Sequence, residues 1–166
     1  RYTPVEVLMN GMNRRVWVLI CEDMWDEDYV LKPAKMYKEN GADLIVNISA
    51  SPAGIDKERK REQLIARHSE DIGFIYANHT GVQNNNKWLW VFDGASTAFY
   101  KWKKVFQAPR LKDGVFFIED ENTIPEFPNS LEKLAENLVY GLREYMKQIG
   151  QKKLVLGLSG GIDSAL

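Results

Sequence analysis

Residues 16–21 read V-W-V-L-I-C, and the fold is worked out from this stretch. A short apolar run containing β-branched residues is typical of a strand that is buried inside a sheet. Two later runs, 44–48 and 74–78, have the same character and length. We therefore predict three strands that share one sheet.

The segments between these strands carry helix signals. Pro33 suits a first helical turn and Gly41 a helix end, which predicts a helix over 33–40. The charged segment 56–72 carries four residues at helical spacing, which predicts an amphipathic helix: Leu64, Ile65, His68 and Ile72. We interpret His68 as a hydrogen-bonded core histidine. Strands alternating with helices indicate an α/β fold.

The alternation of strand and helix signals stops after residue 78. The apolar runs 88–92 and 96–100 flank Asp93-Gly94-Ala95, and Asp-Gly between apolar runs predicts a β-hairpin. Residues 116–118 predict one more strand. The acidic, proline-containing stretch 120–130 (D-E-N-T-I-P-E-F-P-N-S) has no periodicity and is interpreted as a linker.

A second domain is predicted to start at residue 131. A stripe of apolar residues predicts a helix that ends near Gly150: Leu131, Leu134, Leu138, Leu142 and Tyr145. A strand is predicted over 154–158. The domain assignment is thus 1–119, a linker over 120–130, and 131–166. Because one helix and one strand do not make a domain, and the first residue is not Met, we expect a segment of a longer protein.

Composition excludes several classes of protein. The chain has 22 Lys and Arg against 23 Asp and Glu, a net charge of −1, so no nucleic-acid partner is expected. The lysine-rich stretch 101–112 is interpreted as a protected sheet edge. Cys21 is the single cysteine, so an internal disulfide and a Cys-x-x-Cys site are excluded and a cytoplasmic location is expected. No apolar run approaches the ~18 residues that a membrane span needs.

The C-terminal residues 154–166 read L-V-L-G-L-S-G-G-I-D-S-A-L. Gly160 and Gly161 allow a tight turn in which backbone amides converge on an anion, and a helix starting near Asp163 adds its positive end. The hydroxyls of Ser159 and Ser164 can donate to phosphate oxygens. Asp163 would repel bare phosphate, which makes sense if Mg²⁺ lies between them. The alternative is a structural Gly-Gly turn.

This loop is not a Walker loop, because no Gly-Lys-Ser/Thr is present. It resembles the S-G-G-x-D-S loop of the N-type ATP pyrophosphatases, which grips the pyrophosphate of ATP. The resemblance implies the start of a doubly wound α/β domain. It also implies that Asp163 is a ligand of Mg²⁺. It also implies that eight residues bind ATP: Gly157, Leu158, Ser159, Gly160, Gly161, Ile162, Asp163 and Ser164.

Cys21 lies at the end of its strand, where sheet enzymes usually place ligands, although a free cysteine is often merely packed. Three stretches resemble the nitrilase-type glutaminase domain of the glutamine-dependent NAD synthetases: L-I-C-E-D-M-W at 19–25, G-A-D-L-I-V-N-I-S-A-S-P at 41–52, and N-H-T-G-V-Q-N-N-N-K-W-L-W-V-F-D-G-A-S at 78–96. The resemblance implies the C-terminal part of an α-β-β-α sandwich.

The same resemblance implies roles for individual residues. Cys21 is the nucleophile that attacks the carboxamide of glutamine, and the backbone amide of Glu22 completes the oxyanion site. Ser51 and Lys57 match positions that contact glutamine, with a turn serine and a solvated lysine as alternatives. The family's base, a Glu, and its oxyanion Lys lie farther upstream than this chain reaches. We therefore expect residues 1–166 alone to hydrolyse no glutamine.

The expected function is that of a ligase, and two alternative functions are kept beside it. ATP would adenylate deamido-NAD, and ammonia from glutamine would displace AMP, with Mg²⁺ as the metal. The partners expected are these small molecules and further copies of the chain in a homo-oligomer, with no nucleic acid and no membrane. One alternative is a stand-alone carbon-nitrogen hydrolase, such as an amidase, whose Gly-Gly turn is structural. The other is a non-catalytic fragment that only binds partners.

Overall fold

The computed structural model describes residues 3–118 and 130–165. In this part of the chain eight strands and four α-helices are present. The strands are β1 (Val5–Met9), β2 (Met12–Ile20), β3 (Leu44–Ser49), β4 (Gly73–Asn78), β5 (Thr80–Asn84), β6 (Leu89–Asp93), β7 (Thr97–Tyr100) and β8 (Lys103–Gln107). The helices are α1 (Pro33–Glu39), α2 (Lys57–His68), α3 (Ser130–Gln148) and α4 (Ile162–Ala165).

The three predicted strands form the parallel centre of a six-stranded sheet with the order β1-β2-β3-β4-β7-β8. Trp17 pairs with Ile45, and Ile45 pairs with Phe74, so the apolar runs lie side by side. Helices α1 and α2 connect these strands, because parallel strands need a crossover between them. The predicted alternation of strand and helix, and with it the α/β fold class, is confirmed.

The core lies between the large sheet and its helices. Leu19, Ile45 and Phe74 are fully buried and pack with Leu64 and Ile65 of α2. Burying each such side chain contributes roughly 1.5–3 kcal/mol, which holds α2 against the sheet. The alternate residues of the same strands point the other way and are exposed, among them Val18, Ile20 and Ile48.

The predicted hairpin around Asp93-Gly94 is wrong. Strand β6 pairs with β5 in a separate two-stranded sheet, whereas β7 pairs with β4 and β8 in the large sheet. The chain crosses between the sheets here, where Asp93 is buried in an ion pair and the Gly94 N–H donates to the carbonyl of His79. The Asp-Gly turn signal depends on adjacent residues only, whereas β6 and β7 pair with other strands, β5 and β4.

Two further strand predictions before residue 119 need correction. Residues 116–118 form no strand, and β8 lies instead within the lysine-rich stretch 101–112. Because β8 is an outer strand of the large sheet, the interpretation of that stretch as a lysine-bearing edge is confirmed. Cys21 also lies one residue beyond β2 rather than within it.

Helix α3 packs on the small sheet. Gly141 is its one buried residue, and a Cβ built there would lie 2.7 Å from Cγ2 of Val91 on β6. Lys133 also forms an ion pair with Glu58 of α2 (Nζ···Oε2 2.8 Å). The helix ends, as predicted, just before Gly150, which has the left-handed φ of +70°.

The predicted strand over 154–158 is wrong. These residues are in no strand, and the side chains of Leu154, Val155, Leu156 and Leu158 are 60–99% exposed. A strand needs a partner to satisfy its backbone, and the described part of the chain offers none here. The predicted linker over 120–130 lies outside the described residues, apart from Ser130, which begins α3. No helix in the described ranges is long and apolar enough to cross a membrane.

Candidate active site

Cys21 is held in an unusual backbone conformation directly after β2. It begins a single 3-10 turn, Cys21–Met24, and its φ is +46°, a left-handed value that residues other than glycine rarely adopt. Asn47, a fully buried residue of β3, donates from Nδ2 to the Cys21 carbonyl (3.3 Å). Such conformations cluster at functional sites, where surrounding contacts maintain them.

The other end of this turn is also anchored. Nε2 of His68 lies 2.9 Å from the carbonyl oxygen of Met24, so the histidine donates a hydrogen bond to the turn. Burial lowers the pKa of His68, although this hydrogen bond and Asp26 act in the opposite sense. His68 is therefore the hydrogen-bonded core histidine that its position on the helix predicted.

Cys21 opens into a cleft of about 710 Å³ on the large sheet. Its lining includes all four residues that the sequence predicted for glutamine: Cys21, Glu22, Ser51 and Lys57. These residues come from two strand ends and the first turn of α2, so only the parallel sheet brings them together. Their individual roles remain predictions.

Ser51 is nearly buried, with 3% of its surface exposed. Asn78 holds its backbone at both ends: Oδ1 of Asn78 accepts from the Ser51 N–H (2.9 Å), and Nδ2 donates to the Ser51 carbonyl (3.2 Å). The wall of the cleft at Ser51 is consequently fixed by a side chain from β4.

Lys57 is the first residue of α2 and is half-buried at the cleft. Burial lowers the pKa of its ammonium group, and the positive charge of Arg61 lowers it further. Cys21, Asp93 and Glu22 attract the ammonium and oppose this effect. Lys57 can therefore offer a positive charge to an anionic group in the cleft, and it loses its proton more readily than an ordinary lysine.

Behind Lys57 lies a buried ion pair that the sequence analysis missed. Nη2 of Arg61 is 3.4 Å from Oδ2 of Asp93, and the two side chains are 1% and 5% exposed. Burial alone would lower the pKa of Arg61, but the charge of Asp93 and the hydroxyl of Tyr76 outweigh it and raise the pKa. The available signal was spacing: Arg61 falls on the same helical face as Leu64, Ile65 and His68.

The C-terminal loop curls on itself ahead of α4. The Ser159 N–H donates to Oγ of Ser164 (3.2 Å), the two serine hydroxyls are 3.0 Å apart, and the Gly161 N–H donates to Oγ of Ser159 (3.3 Å). Gly160 has a φ of +87°, which only glycine adopts without strain. The two serine side chains therefore lie next to each other within one tight turn.

The remaining residues predicted to bind ATP lie along the same exposed stretch: Gly157, Leu158, Gly161, Ile162 and Asp163. Asp163 falls in the first turn of α4. No cluster of three or more metal-ligating side chains occurs among the described residues. One carboxylate next to hydroxyl groups is nevertheless a set that can share Mg²⁺ with substrate phosphates.

Comparisons with known proteins agree with both parts of the chain. A family model described as NAD synthase matches residues 134–166. Glutamine-dependent NAD(+) synthetase from Synechocystis sp. is 30% identical over 173 residues, which span 93% of this chain and 30% of that protein. The enzyme of the same name from Xanthomonas campestris is 33% identical and spans 92% of this chain and 28% of the relative.

Solved structures agree as well. Glutamine-dependent NAD(+) synthetase from Acinetobacter baumannii, in complex with adenosine diphosphate, is 26% identical with a TM-score of 0.80, covering 99% of this chain and 32% of that one. The enzyme from Cytophaga hutchinsonii is also 26% identical, with a TM-score of 0.70, covering 99% and 28%. The chain spans about 30% of the length of the curated relatives that it matches.

The chain therefore combines two parts, a cysteine cleft on the parallel part of an α/β sheet and, after it, an S-G-G-x-D-S turn. Over nearly all of its length the chain is similar in sequence and fold to glutamine-dependent NAD(+) synthetases, and the NAD synthase family model matches its C-terminal part. The predicted family and fold class are confirmed by these matches.

Proposed function

We propose that the protein carrying this chain makes NAD(+) from deamido-NAD, ATP and glutamine, and that this chain supplies the thiol for glutamine hydrolysis and the first part of the ATP site. The observation that carries the proposal is the cleft, which is lined by Cys21, Glu22, Ser51 and Lys57 together. A packed, inert cysteine would not need a strained backbone held by Asn47.

The glutaminase step uses the sulfur of Cys21. Sγ attacks the carboxamide carbon of glutamine while its proton leaves to the base, a tetrahedral intermediate forms, and the C–N bond breaks as the nitrogen takes up a proton and departs as ammonia. Water then cleaves the glutamyl thioester and regenerates the thiol. The backbone N–H of Glu22 is proposed to stabilise the negative oxygen of the intermediate.

The far side of the cleft is proposed to recognise glutamine as an amino acid. The ammonium group of Lys57 suits the α-carboxylate, and the hydroxyl of Ser51 suits the α-amino group. The backbone of Lys57 is placed by the first turn of α2 and that of Ser51 by Asn78, an arrangement that would present the carboxamide to Sγ. Preorganised binding groups of this kind keep the reacting atoms in contact.

The turn over 159–164 is proposed to bind the pyrophosphate of ATP through its amides and the two serine hydroxyls. Asp163 would hold Mg²⁺, which would supply positive charge to the phosphates. The nicotinate carboxylate of deamido-NAD attacks the α-phosphate and pyrophosphate leaves. Ammonia then attacks the resulting acyl adenylate and AMP leaves.

Four further statements belong to the proposal. The domain assignment of 1–119, a linker over 120–130 and 131–166, and the cytoplasmic location, are supported by the sequence alone. Assembly as a homo-oligomer is proposed for the full-length protein. The absence of nucleic-acid partners is supported by the net charge of −1.

The test uses the full-length protein with Cys21→Ala. We expect NAD(+) formation from glutamine to be lost and formation from added ammonium salt to be retained, since ammonia bypasses the thiol. A variant that still makes NAD(+) from glutamine at the parent's rate would overturn the proposal. The amidase alternative is separated by pyrophosphate release: a parent protein that hydrolyses amides without consuming ATP is an amidase.

A further inference from the structure

The Arg61–Asp93 ion pair is almost completely buried. Both side chains are almost inaccessible, Arg61 also lies 5.0 Å from the centre of the Tyr76 ring, and its Nε has no hydrogen-bond partner within the described structure. Desolvating two charges can cost as much as their attraction returns, so a buried pair is weak evidence of a stabilising role. Its contacts point to a different one.

The two carboxylate oxygens of Asp93 contact two different structural elements. Oδ2 faces Nη2 of Arg61 on α2, and Oδ1 accepts from Nδ2 of Asn78 at the end of β4 (3.3 Å). Asn78 in turn brackets the backbone of Ser51 from both sides. One carboxylate therefore connects helix α2 to the loop that carries Ser51.

Arg61, through which this connection reaches α2, lies one helical turn from Lys57. Residues four apart on a helix are neighbours on one face, so Lys57 and Arg61 project to the same side of α2. Arg61 is fixed in the interior while Lys57 reaches the cleft. Moving the Arg61 anchor would move the first turn of α2, and Lys57 with it.

We infer that Asp93 is a positioning residue that sets, through Arg61 and Asn78, the separation between Lys57 and Ser51 and thereby the affinity of the cleft for an α-amino acid amide. The inference rests on the proposed function. Asp93 does not line the cleft, so it acts on the substrate only through these two neighbours. Its effect should fall on substrate binding more than on the attack by Sγ.

The experiment is Asp93→Asn in the full-length protein, with KM and kcat measured for glutamine hydrolysis. Asn keeps the shape of Asp93 but removes the charge that holds Arg61. We expect KM for glutamine to rise about tenfold with kcat within about threefold of the parent, the pattern of lost ground-state and transition-state binding. NAD(+) synthesis from ammonium salt should be unchanged.

Glu62→Gln is the matched control. Glu62 follows Arg61 on α2 and ties the same helix to β8 through Lys104, but it contacts neither Asn78 nor Ser51. Its KM should stay at the parent's value. Asn78→Ala is the second variant, because it cuts the connection at Ser51 while leaving the Arg61–Asp93 pair, and it should raise KM in the same direction.

The outcomes separate the two proposals. If the parent hydrolyses glutamine, and if Asp93→Asn and Asn78→Ala leave KM unchanged or lower only kcat, the positioning role is wrong and the proposed function stands. The role is equally wrong if Glu62→Gln raises KM as much as they do. A parent protein that hydrolyses no glutamine overturns both.

Discussion

The side-chain amide of Asn47 donates a hydrogen bond to the backbone carbonyl of Cys21, with Nδ2 and O 3.3 Å apart. Asn47 is fully buried on β3, and its Oδ1 accepts from the hydroxyl of Ser49. The strand next to the cysteine therefore helps to hold the left-handed backbone at Cys21. The residue that carries the thiol is oriented by a neighbour that does not line the cleft.

Replacing this amide tests the relationship. Asn47→Ala should lower kcat for glutamine hydrolysis by about 10- to 100-fold, because a small misplacement of a nucleophile is costly. The variant should also unfold more easily, by about 1–3 kcal/mol, since buried polar groups lose their partner. Steady-state kinetics and urea unfolding measure the two effects. Asn40→Ala, which removes an exposed helix-end amide, is the control, and equal kcat losses in both variants would contradict the prediction.

We predict that Lys57 makes glutamine binding sensitive to alkaline pH. Its pKa is lowered chiefly by burial, and binding of a carboxylate uses the protonated form. The affinity is therefore present below the pKa of Lys57 and is lost as the pH rises through it. KM for glutamine should rise at lower pH in the parent than in Lys57→Arg, because arginine keeps its charge. Both proteins share the titration of free glutamine, so superimposable KM profiles would contradict the role of Lys57.

Two substitutions that break the same ion pair should shift this pH profile in opposite directions. Arg61→Met removes the charge that repels Lys57, so the pKa of Lys57 rises and the alkaline increase of KM begins at higher pH, from a KM that the lost anchor has already raised. Asp93→Asn removes an attraction and leaves Arg61 unbalanced, so the pKa of Lys57 falls. A purely structural disturbance would move both profiles the same way. The measurement is KM for glutamine against pH in both variants and the parent.

Gly141 sets how closely α3 approaches the small sheet. Gly141→Ala places a Cβ about 2.7 Å from Cγ2 of Val91, closer than real contacts allow. We expect a loss of roughly 1–3 kcal/mol in unfolding free energy, typical of overpacking. The double variant Val91→Ala with Gly141→Ala removes the clashing methyl groups and should recover part of that loss relative to the sum of the single variants. Additive losses, measured by urea unfolding, would show that the contact does not limit the packing.

The sequence was most informative where structure depends on nearby residues. The apolar runs at β2, β3 and β4 and the proline and glycine bounding α1 predicted those elements, because each signal lies inside its own segment. It was least informative where structure depends on remote partners. The Asp93-Gly94 turn looked like a hairpin because nothing local shows that β6 pairs backwards to β5.

The same distinction between nearby and remote partners divides the site residues into two groups. Cys21, Ser51 and Lys57 follow strand ends or begin a helix, and parallel strands bring such positions to one edge, so motif resemblance was enough to collect them. Arg61 and Asn78 are both hydrogen-bonded to Asp93, and Arg61 lies 32 residues before Asp93 in the chain. No spacing rule relates a helix arginine to an aspartate on another sheet, and only the three-dimensional structure joins them.

Lys57 and Glu58 are consecutive in the first turn of α2, yet they serve different neighbours. Lys57 meets the cleft at Cys21, whereas Glu58 is paired with Lys133 of α3. A slide or roll of that single turn would displace both contacts at once. The cysteine cleft and helix α3 are thus coupled through two consecutive residues of α2.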